Sequence, residues 1–193
     1  VKEIVLTGVN LGDFGLPKSL PRRDFENTKE EDLLSLIKEL ENVNGIQRYR
    51  ISSIEPNLLT NEIIEFVANS DKFMPHFHLP LQSGSNKILG AMRRRYKREL
   101  YAERVKLTKT LMPHCAIGVD VIVGFPGETE EDFEELIQFV RNCRFDNVGV
   151  FTYSDEEGTD AYDLPNKVDP KVAAARRHRL MKEQAKISKT INA

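Results

Sequence analysis

The chain has 193 residues, of which 40% are hydrophobic and 30% charged, and its formal net charge at pH 7 is −2. This length and composition are typical of a globular domain with a sizeable core, and they exclude a disordered chain. The small net charge excludes a surface that attracts nucleic acid everywhere, so any basic partner surface has to be local.

Five strand-like runs alternate with helical segments along the chain. Strands are expected near residues 3–8, 47–53, 76–80, 116–123 and 147–152. Helices are expected from a capping box at Thr28 and Glu31 to about Asn44, from Thr60 through Val67, from Asn86 to Met92, from Glu99 to Leu111, from Phe133 to Cys143 and from Pro170 to about Ile191. This alternation with short connections predicts a parallel sheet with right-handed crossovers.

The segment from residue 116 to residue 133 reads as strand, tight loop and helix. Its apolar, β-branched start predicts a strand buried on both faces, and Thr129 is the expected N-cap of the next helix. Alternation places Asp120, Ile122 and Gly124 on one face. A flat ligand that lies on Ile122 would approach the bare backbone of Gly124, so a Gly124→Val side chain is expected to fill the ligand's volume without harming the fold. The alternative is an ordinary strand-to-helix turn.

Polar residues gather where the predicted strands end. They are Asn10, Ser53, Glu55, Gln82, Ser83, Glu128, Tyr153 and Ser154. Barrels and doubly wound sheets build their active sites at these carboxyl ends. Five strands are too few for a closed eight-stranded barrel, so we expect an α/β fold with a partial, truncated TIM-type barrel of parallel strands. No dinucleotide-binding or Walker sequence is present to favour a nucleotide-binding fold instead.

The cysteines and histidines do not predict a metal site. Cys115 and Cys143 are far apart and match no ligand spacing, so they are expected to be buried thiols of a reducing compartment, the cytoplasm. His76 and His78 alternate onto one face of a strand, but no Cys or Glu joins them at a metal-binding spacing. No apolar run is long enough to cross a membrane, and no signal peptide pattern is present.

Two basic segments need an explanation. Residues 93–98 form the densest basic cluster, which is either a solvated face or a grip for a carboxylate or phosphate. The second lies near the end of the chain, and we expect a barrel domain over residues 1–165 and a linker with a basic helix over residues 166–193. That helix either packs on the barrel with a solvated face or binds an RNA backbone.

Six ordered motifs together resemble the radical S-adenosylmethionine methylthiotransferases over nearly the whole chain. They are Leu6-Thr-Gly-Val-Asn-Leu-Gly12, Arg50-Ile-Ser-Ser-Ile-Glu-Pro56, His78-Leu-Pro-Leu-Gln-Ser-Gly-Ser85, Met92-Arg-Arg-Arg-Tyr96, Asp120-Val-Ile-Val-Gly-Phe-Pro-Gly-Glu128 and Phe151-Thr-Tyr-Ser-Asp-Glu-Glu-Gly-Thr159. The second and fourth motifs look most like the branch that modifies N6-threonylcarbamoyladenosine beside the tRNA anticodon.

The resemblance implies a radical-SAM-like partial (β/α)6 barrel that binds S-adenosylmethionine and adds a methylthio group to C2 of a modified adenosine in tRNA. Two [4Fe–4S] clusters and a reductant are implied for the full-length parent. The family's Cys-x-x-x-Cys-x-x-Cys loop is absent, and the chain opens on a strand without Met, so we expect a fragment cut after the first strand. Such a fragment is expected to hold no cluster, to contribute no catalytic residue and to be inactive alone.

The resemblance also implies roles for individual residues. Thr7, Gly8 and Asn10 would approach the methionyl amine, Ser53 and Glu55 would line the next strand end, and Gln82 and Ser83 would lie near the ribose. Ile122 and Gly124 would meet the adenine, Glu128 would cap their loop, Arg95 would pair with the methionyl carboxylate, and Tyr153 and Ser154 would close the last strand end. Asp120 either joins this site or only anchors neighbouring strands.

Other functions stay open at this point. The protein can be a ribosomal-protein methylthiotransferase of the same family, or a barrel module that binds cofactor or RNA without chemistry. A barrel isomerase or aldolase is disfavoured because no lysine stands at a strand end. The sulfur source and the oligomeric state are not predicted.

Overall fold

A computed structural model of the protein describes residues 1–15 and 31–192. The strands are β1 (Glu3–Leu6), β2 (Arg48–Ile51), β3 (His76–His78), β4 (Ala116–Val123) and β5 (Asn147–Thr152). The α-helices are α1 (Leu33–Glu41), α2 (Asn61–Asn69), α3 (Asn86–Ala91), α4 (Arg98–Leu111), α5 (Glu130–Cys143) and α6 (Pro170–Ile191). A short 3₁₀ helix spans Leu11–Asp13.

All the paired strands run parallel and follow the order of the sequence. β1 pairs with β2 in one sheet, and β3, β4 and β5 form a second sheet with β4 in its centre. Single bridges from Tyr49 to Phe73 and from Ser53 to His78 link the two sheets. The predicted α/β architecture of parallel strands is confirmed, and the described strands form an open, partial barrel and not a closed one.

The core lies between the sheets and the helices that cover their outer side. Ile117, Val119, Val121 and Val123 of β4 are each at most 1% exposed. The ring of Tyr101 on α4 meets Phe145 edge-on, with centroids 5.8 Å apart, and the Tyr101 hydroxyl donates to the carbonyl of Leu79 at 2.6 Å. Helix α4 is therefore fixed to the sheet by both apolar and polar contacts.

Strand β4 lies where the sequence predicts it, but the expectation that it is buried on both faces is wrong. Asp120 and Ile122 alternate with the fully buried valines and are only half-buried, because they face the concave side of the open barrel. A strand with one such face is not enclosed on both sides. This half-buried face is the one that the sequence singled out as a ligand-facing surface.

Helix caps follow the sequence at both predicted N-cap positions that lie within the described residues. Thr60 caps α2, and Thr129 forms a capping box with Asp132 at the start of α5. Thr28 lies outside the described residues. Helix α1 begins at Leu33, where Asp32 and Ser35 form the capping box.

Helix α6 packs against β5 and α5, and three of its cations make contacts inside the domain. Arg176 is 5% exposed and reaches Glu128, Arg177 donates to the carbonyl of Val150 at 2.9 Å, and Arg179 pairs with acidic residues of α5. These three arginines therefore anchor the helix and do not form a free basic face for RNA.

Candidate functional site

Two adjoining cavities lie at the carboxyl ends of β4 and β5. One has a volume of about 290 Å³ and the other about 460 Å³, and both are lined by Ile122, Tyr153 and Ala161. The larger also contacts Gln82, Asp120 and Ser154. The structure thus brings together four of the residues implied by the resemblance: Gln82, Ile122, Tyr153 and Ser154.

An aromatic pair forms part of the wall. The ring of Phe125 meets that of Tyr153 edge-on, with centroids 5.3 Å apart, and both residues line the smaller cavity. The backbone N–H of Tyr153 donates to the carbonyl of Val123 at 2.9 Å, which extends the pairing of β4 and β5 past their ends. A flat, partly apolar ligand would find Ile122 and these rings on neighbouring surfaces.

Two arginines, Arg93 and Arg94, line the smaller cavity, and Arg94 is the one that is partly buried. Its guanidinium donates to the Glu55 carboxylate at 3.1 Å across the strand ends. Its Nε atom is buried without a hydrogen-bond partner. A bound carboxylate would supply the missing acceptor, since guanidinium groups pair with carboxylates through two donors.

Arg95, which the resemblance implied, is exposed and lines a cavity of about 830 Å³ beside the start of α4, which Arg94 also lines but Ile122 and Tyr153 do not. Arg93 adopts a left-handed backbone conformation (φ +55°), and the buried Tyr96 donates to the carbonyl of Pro80 at 3.0 Å. The turn between these two residues places Arg93 and Arg94, but not Arg95, at the smaller cavity. Sequence spacing alone carries no signal for this choice.

Gln82 and Ser83 have different surroundings in the structure, and only Gln82 lines the larger cavity. Gln82 has φ +66°, its N–H donates to the carbonyl of Asp120 at 2.9 Å, and its carbonyl accepts from the N–H of Ile122 at 2.9 Å. Its side chain reaches the larger cavity. Ser83 is 1% exposed, and its hydroxyl accepts from the N–H of Ser85 at 3.2 Å, so it stabilises the loop and does not line the cavity.

Gly124 does not present the open surface that the sequence predicted. The strand ends at Val123, and Gly124 has φ +81°, so the alternation of faces stops before it. A Cβ atom added here would lie 2.5 Å from the Cβ of Ala173 on α6. The expectation that Gly124→Val fills the ligand's volume and spares the fold is therefore wrong, because the side chain would meet a packed helix.

Glu128 supports the same loop from beneath. Its side chain is 1% exposed and accepts from the N–H of Gly124 at 3.0 Å, as expected for a residue that caps the loop. The same carboxylate oxygen accepts from Arg176 at 2.7 Å. Glu128 therefore lies behind the loop, away from the cavities.

The loop after β1 stands at the carboxyl end of the first sheet. Thr7 and Gly8 are exposed, and Asn10 donates from its side chain to Asp13. None of the three lines either of the two cavities described above. Ser53, which follows the end of β2, is bridged to His78 and lines neither of these two cavities.

A histidine–carboxylate pair on the concave face was not predicted. The Nε2 atom of His78 lies 3.2 Å from Oδ2 of Asp120, and both side chains are about one third exposed. Asp120 forms part of the floor of the larger cavity. The period-two placement of His78 and of Asp120 on their strands was the available signal, but the register between β3 and β4 was needed to join them.

The segment after β5 covers the smaller cavity. Asp160, Ala161 and Leu164 line it, and Asp160 pairs with Arg93. Further along, the ammonium group of Lys167 pairs with Asp155 and lies 5.4 Å from the ring centroid of Tyr153. These contacts hold the covering segment against the strand ends.

Comparison with known proteins agrees with this geometry. The sequence matches the Radical SAM superfamily over residues 4–140. The chain belongs to the Radical SAM superfamily. Coproporphyrinogen III oxidase of Escherichia coli, a radical SAM enzyme, superimposes with a TM-score of 0.65 at 14% identity, over 79% of this chain and 36% of the oxidase. At that identity the likeness supports the fold alone.

The curated relatives of this radical SAM chain include tRNA-modifying enzymes. Threonylcarbamoyladenosine tRNA methylthiotransferase MtaB of Bacillus subtilis is 44% identical over 93% of this chain and 38% of its own length. A tRNA-2-methylthio-N(6)-dimethylallyladenosine synthase of Pelotomaculum thermopropionicum is 39% identical over 97% of the chain and 40% of the synthase. The resemblance to methylthiotransferases is confirmed. The chain spans about two fifths of the length of these relatives.

No helix in the part of the chain that the structure describes is long and apolar enough to cross a membrane.

Proposed function

We propose that this chain forms the S-adenosylmethionine-binding part of a tRNA methylthiotransferase. Its reaction adds a methylthio group to C2 of a threonylcarbamoyladenosine-type nucleoside next to the anticodon. The observation that carries the proposal is the 44% identity to the Bacillus subtilis enzyme across 93% of the chain, which includes every strand end that lines the cavities. tRNA and a reductant are the partners of the whole protein in this proposal.

The cavities fit the cofactor by size and by chemistry. S-adenosylmethionine combines an adenine ring with a zwitterionic amino acid, so its site needs an apolar wall and charged groups close together. Ile122 and Tyr153 provide the wall, and Arg94 and Glu55 provide opposite charges at its edge. We assign Arg94 to the methionyl carboxylate and Ile122 to the adenine. The cofactor supplies radical chemistry when bound, and these residues bind and orient it.

The thiols of this chain do not fit an iron–sulfur cluster. Cys115 is fully buried, and burial raises the pKa of its thiol to about 12. Burial also raises the pKa of the Cys143 thiol to about 11. Cluster ligands are thiolates grouped around the metal, so neither cysteine meets the requirement. The ligands of both [4Fe–4S] clusters are therefore assigned to residues outside this chain.

The nucleoside assignment is tested by mass spectrometry of tRNA. The intact protein is expressed in a bacterial strain that lacks its own methylthiotransferase for threonylcarbamoyladenosine, and the nucleosides of digested tRNA are analysed. Recovery of the 2-methylthio derivative of threonylcarbamoyladenosine is expected. Recovery of the dimethylallyladenosine derivative in a matching deletion strain, or of a methylthiolated ribosomal protein, would place the protein in another branch. No methylthio product in any strain would refute the proposal.

A further inference from the structure

The loop between β4 and α5, residues 124–128, is closed by the carboxylate of its own last residue. Gly124 and Gly127 both have φ of +81° and bracket Phe125 and Pro126, and the N–H of Glu128 donates to the carbonyl of Phe125 at 2.9 Å. The Glu128 carboxylate turns back to accept from the N–H of Gly124 at 3.0 Å. The shape of this loop therefore depends on where that carboxylate is held.

Arg176 on the terminal helix α6 holds the Glu128 carboxylate in place. Nη1 of Arg176 donates to Oε1 of Glu128 at 2.7 Å, and the two side chains are only 7% and 1% exposed. The same guanidinium also donates to the Glu128 carbonyl at 3.3 Å and contacts Glu130 at 3.3 Å. Burial raises the pKa of Glu128, and without a cation nearby the carboxylate would lose its compensation.

Two further contacts from the same terminal segment meet the loop. The methyl group of Ala173 fills the space beside Gly124 into which a side chain would point. The N–H of Gly127 donates to the carbonyl of Asn166 at 2.9 Å. Residues 166–176 thus contact the loop at three points: Gly124, Gly127 and the Glu128 carboxylate.

The loop in turn carries part of the cavity wall. Phe125 lies within it and packs edge-on against Tyr153, and Ile122 precedes it by two residues. A shift of the Gly124 backbone would move Phe125 relative to Tyr153. Arg176 lies behind the loop and lines neither cavity, so its contact with Glu128 and the loop backbone is the route by which it would act on a ligand.

We propose that Arg176 is a positioning residue for S-adenosylmethionine, which it serves by fixing Glu128 and the loop of residues 124–128. This inference rests on the proposed function. It makes α6 a structural part of the cofactor site, although the helix follows the last strand and lies outside the region matched to the superfamily.

The chain offers a closely matched control in Arg179. It stands on the same helix, pairs with Glu130, and places its guanidinium over the ring of Phe133, as Arg176 does. It has no contact with Glu128. Arg176→Met and Arg179→Met therefore remove the same chemical group from neighbouring turns, and only the first releases the loop.

The test is calorimetric titration of S-adenosylmethionine into the reconstituted intact protein, with thermal melts of each variant. Arg176→Met is expected to raise Kd by about tenfold, because the loop that carries Phe125 loses the buried ion pair that holds its closing carboxylate. Arg179→Met is expected to stay within about twofold of wild type, since its ion pairs are exposed. Arg176→Lys keeps the charge and is expected to recover part of the affinity.

The outcomes separate the two proposals. If the wild-type protein does not bind S-adenosylmethionine, the proposed function fails. If it binds, and folded Arg176→Met binds as tightly as Arg179→Met, the positioning role is refuted. Should Arg176→Met not fold, Glu128→Gln with Arg176→Met removes both buried charges and restores a testable protein. In that double variant a weakened affinity supports the proposal, and a wild-type affinity overturns it.

Discussion

Gly149 lies directly beside Asp120 on the concave face of the sheet, with no room for a side chain between them. A Cβ atom at Gly149 would lie 2.5 Å from Oδ1 of Asp120, while Oδ2 of the same carboxylate is 3.2 Å from His78. Because Gly149 has no side chain, the Asp120 carboxylate can occupy its position at the floor of the larger cavity. The sequence left open whether Asp120 joins the site or only anchors neighbouring strands. In the structure its carboxylate lies against His78 of β3 and Gly149 of β5, so it contacts both neighbouring strands.

Gly149→Ala is expected to destabilise the protein by up to about 1 kcal/mol, because the methyl group forces the partly exposed Asp120 carboxylate away from His78. Gly90→Ala is the matched control. Gly90 lies near the end of α3, nothing stands within 4 Å of an added Cβ, and the change is expected to stabilise by about 0.5 kcal/mol. Urea unfolding of both variants measures the difference. Equal stabilities would contradict the crowding described for Asp120.

Asp132 is expected to make stability depend on pH in the acid range. Burial opposes its charge, but hydrogen bonds from Lys87 at 2.7 Å, from Thr129 and from Ser85 lower the pKa of this carboxyl to about 2. A depressed pKa stabilises the fold above the ordinary value near 4, and this contribution is lost as pH falls toward 2.

Asp132→Asn is therefore expected to cost about 2 kcal/mol at pH 7 and almost nothing near pH 2. Lys87→Met removes one of the hydrogen bonds that lower the pKa and should shrink the same pH-dependent difference. Denaturant unfolding across pH 2–7 gives both curves. A cost for Asp132→Asn that is the same at both ends of this range would show that the carboxyl contributes through shape and not through charge.

The sequence was sufficient for the strands and their direction because β-branched runs and turn residues mark them locally. It was also sufficient to predict that Ile122 and Tyr153 lie close together, because the carboxyl ends of parallel strands meet at one edge of the sheet. It was not sufficient to show that Arg94, and not Arg95, lines the smaller cavity, because a left-handed turn at Arg93 decides this. Nor did it show what Gly124 faces, since that depends on where a distant helix packs.

The choice between the two arginines is itself testable. Arg94→Met in the intact protein is expected to raise the Kd of S-adenosylmethionine by about tenfold, because a charged hydrogen bond to the methionyl carboxylate would be lost. Arg95→Met should leave it unchanged, because Arg95 is exposed and lines another cavity. Calorimetric titration distinguishes them. A loss of affinity confined to Arg95→Met would restore the assignment that the resemblance implied.

The cysteines provide the last test, which concerns where the iron is held. Cys115 is packed in the core at 0% exposure, and Cys143 lies in the last turn of α5, partly buried. The double variant Cys115→Ala with Cys143→Ala is expected to bind as much iron as wild type after anaerobic reconstitution of the intact protein, with the same visible absorption. The Cys115 change should lower stability by about 1 kcal/mol, since it leaves a small void in the core. Iron analysis and thermal melts are measured on the same samples, so that a poorly folded variant is not mistaken for one that has lost a ligand. A folded double variant with half the iron of wild type would show that one of these thiols is a cluster ligand after all.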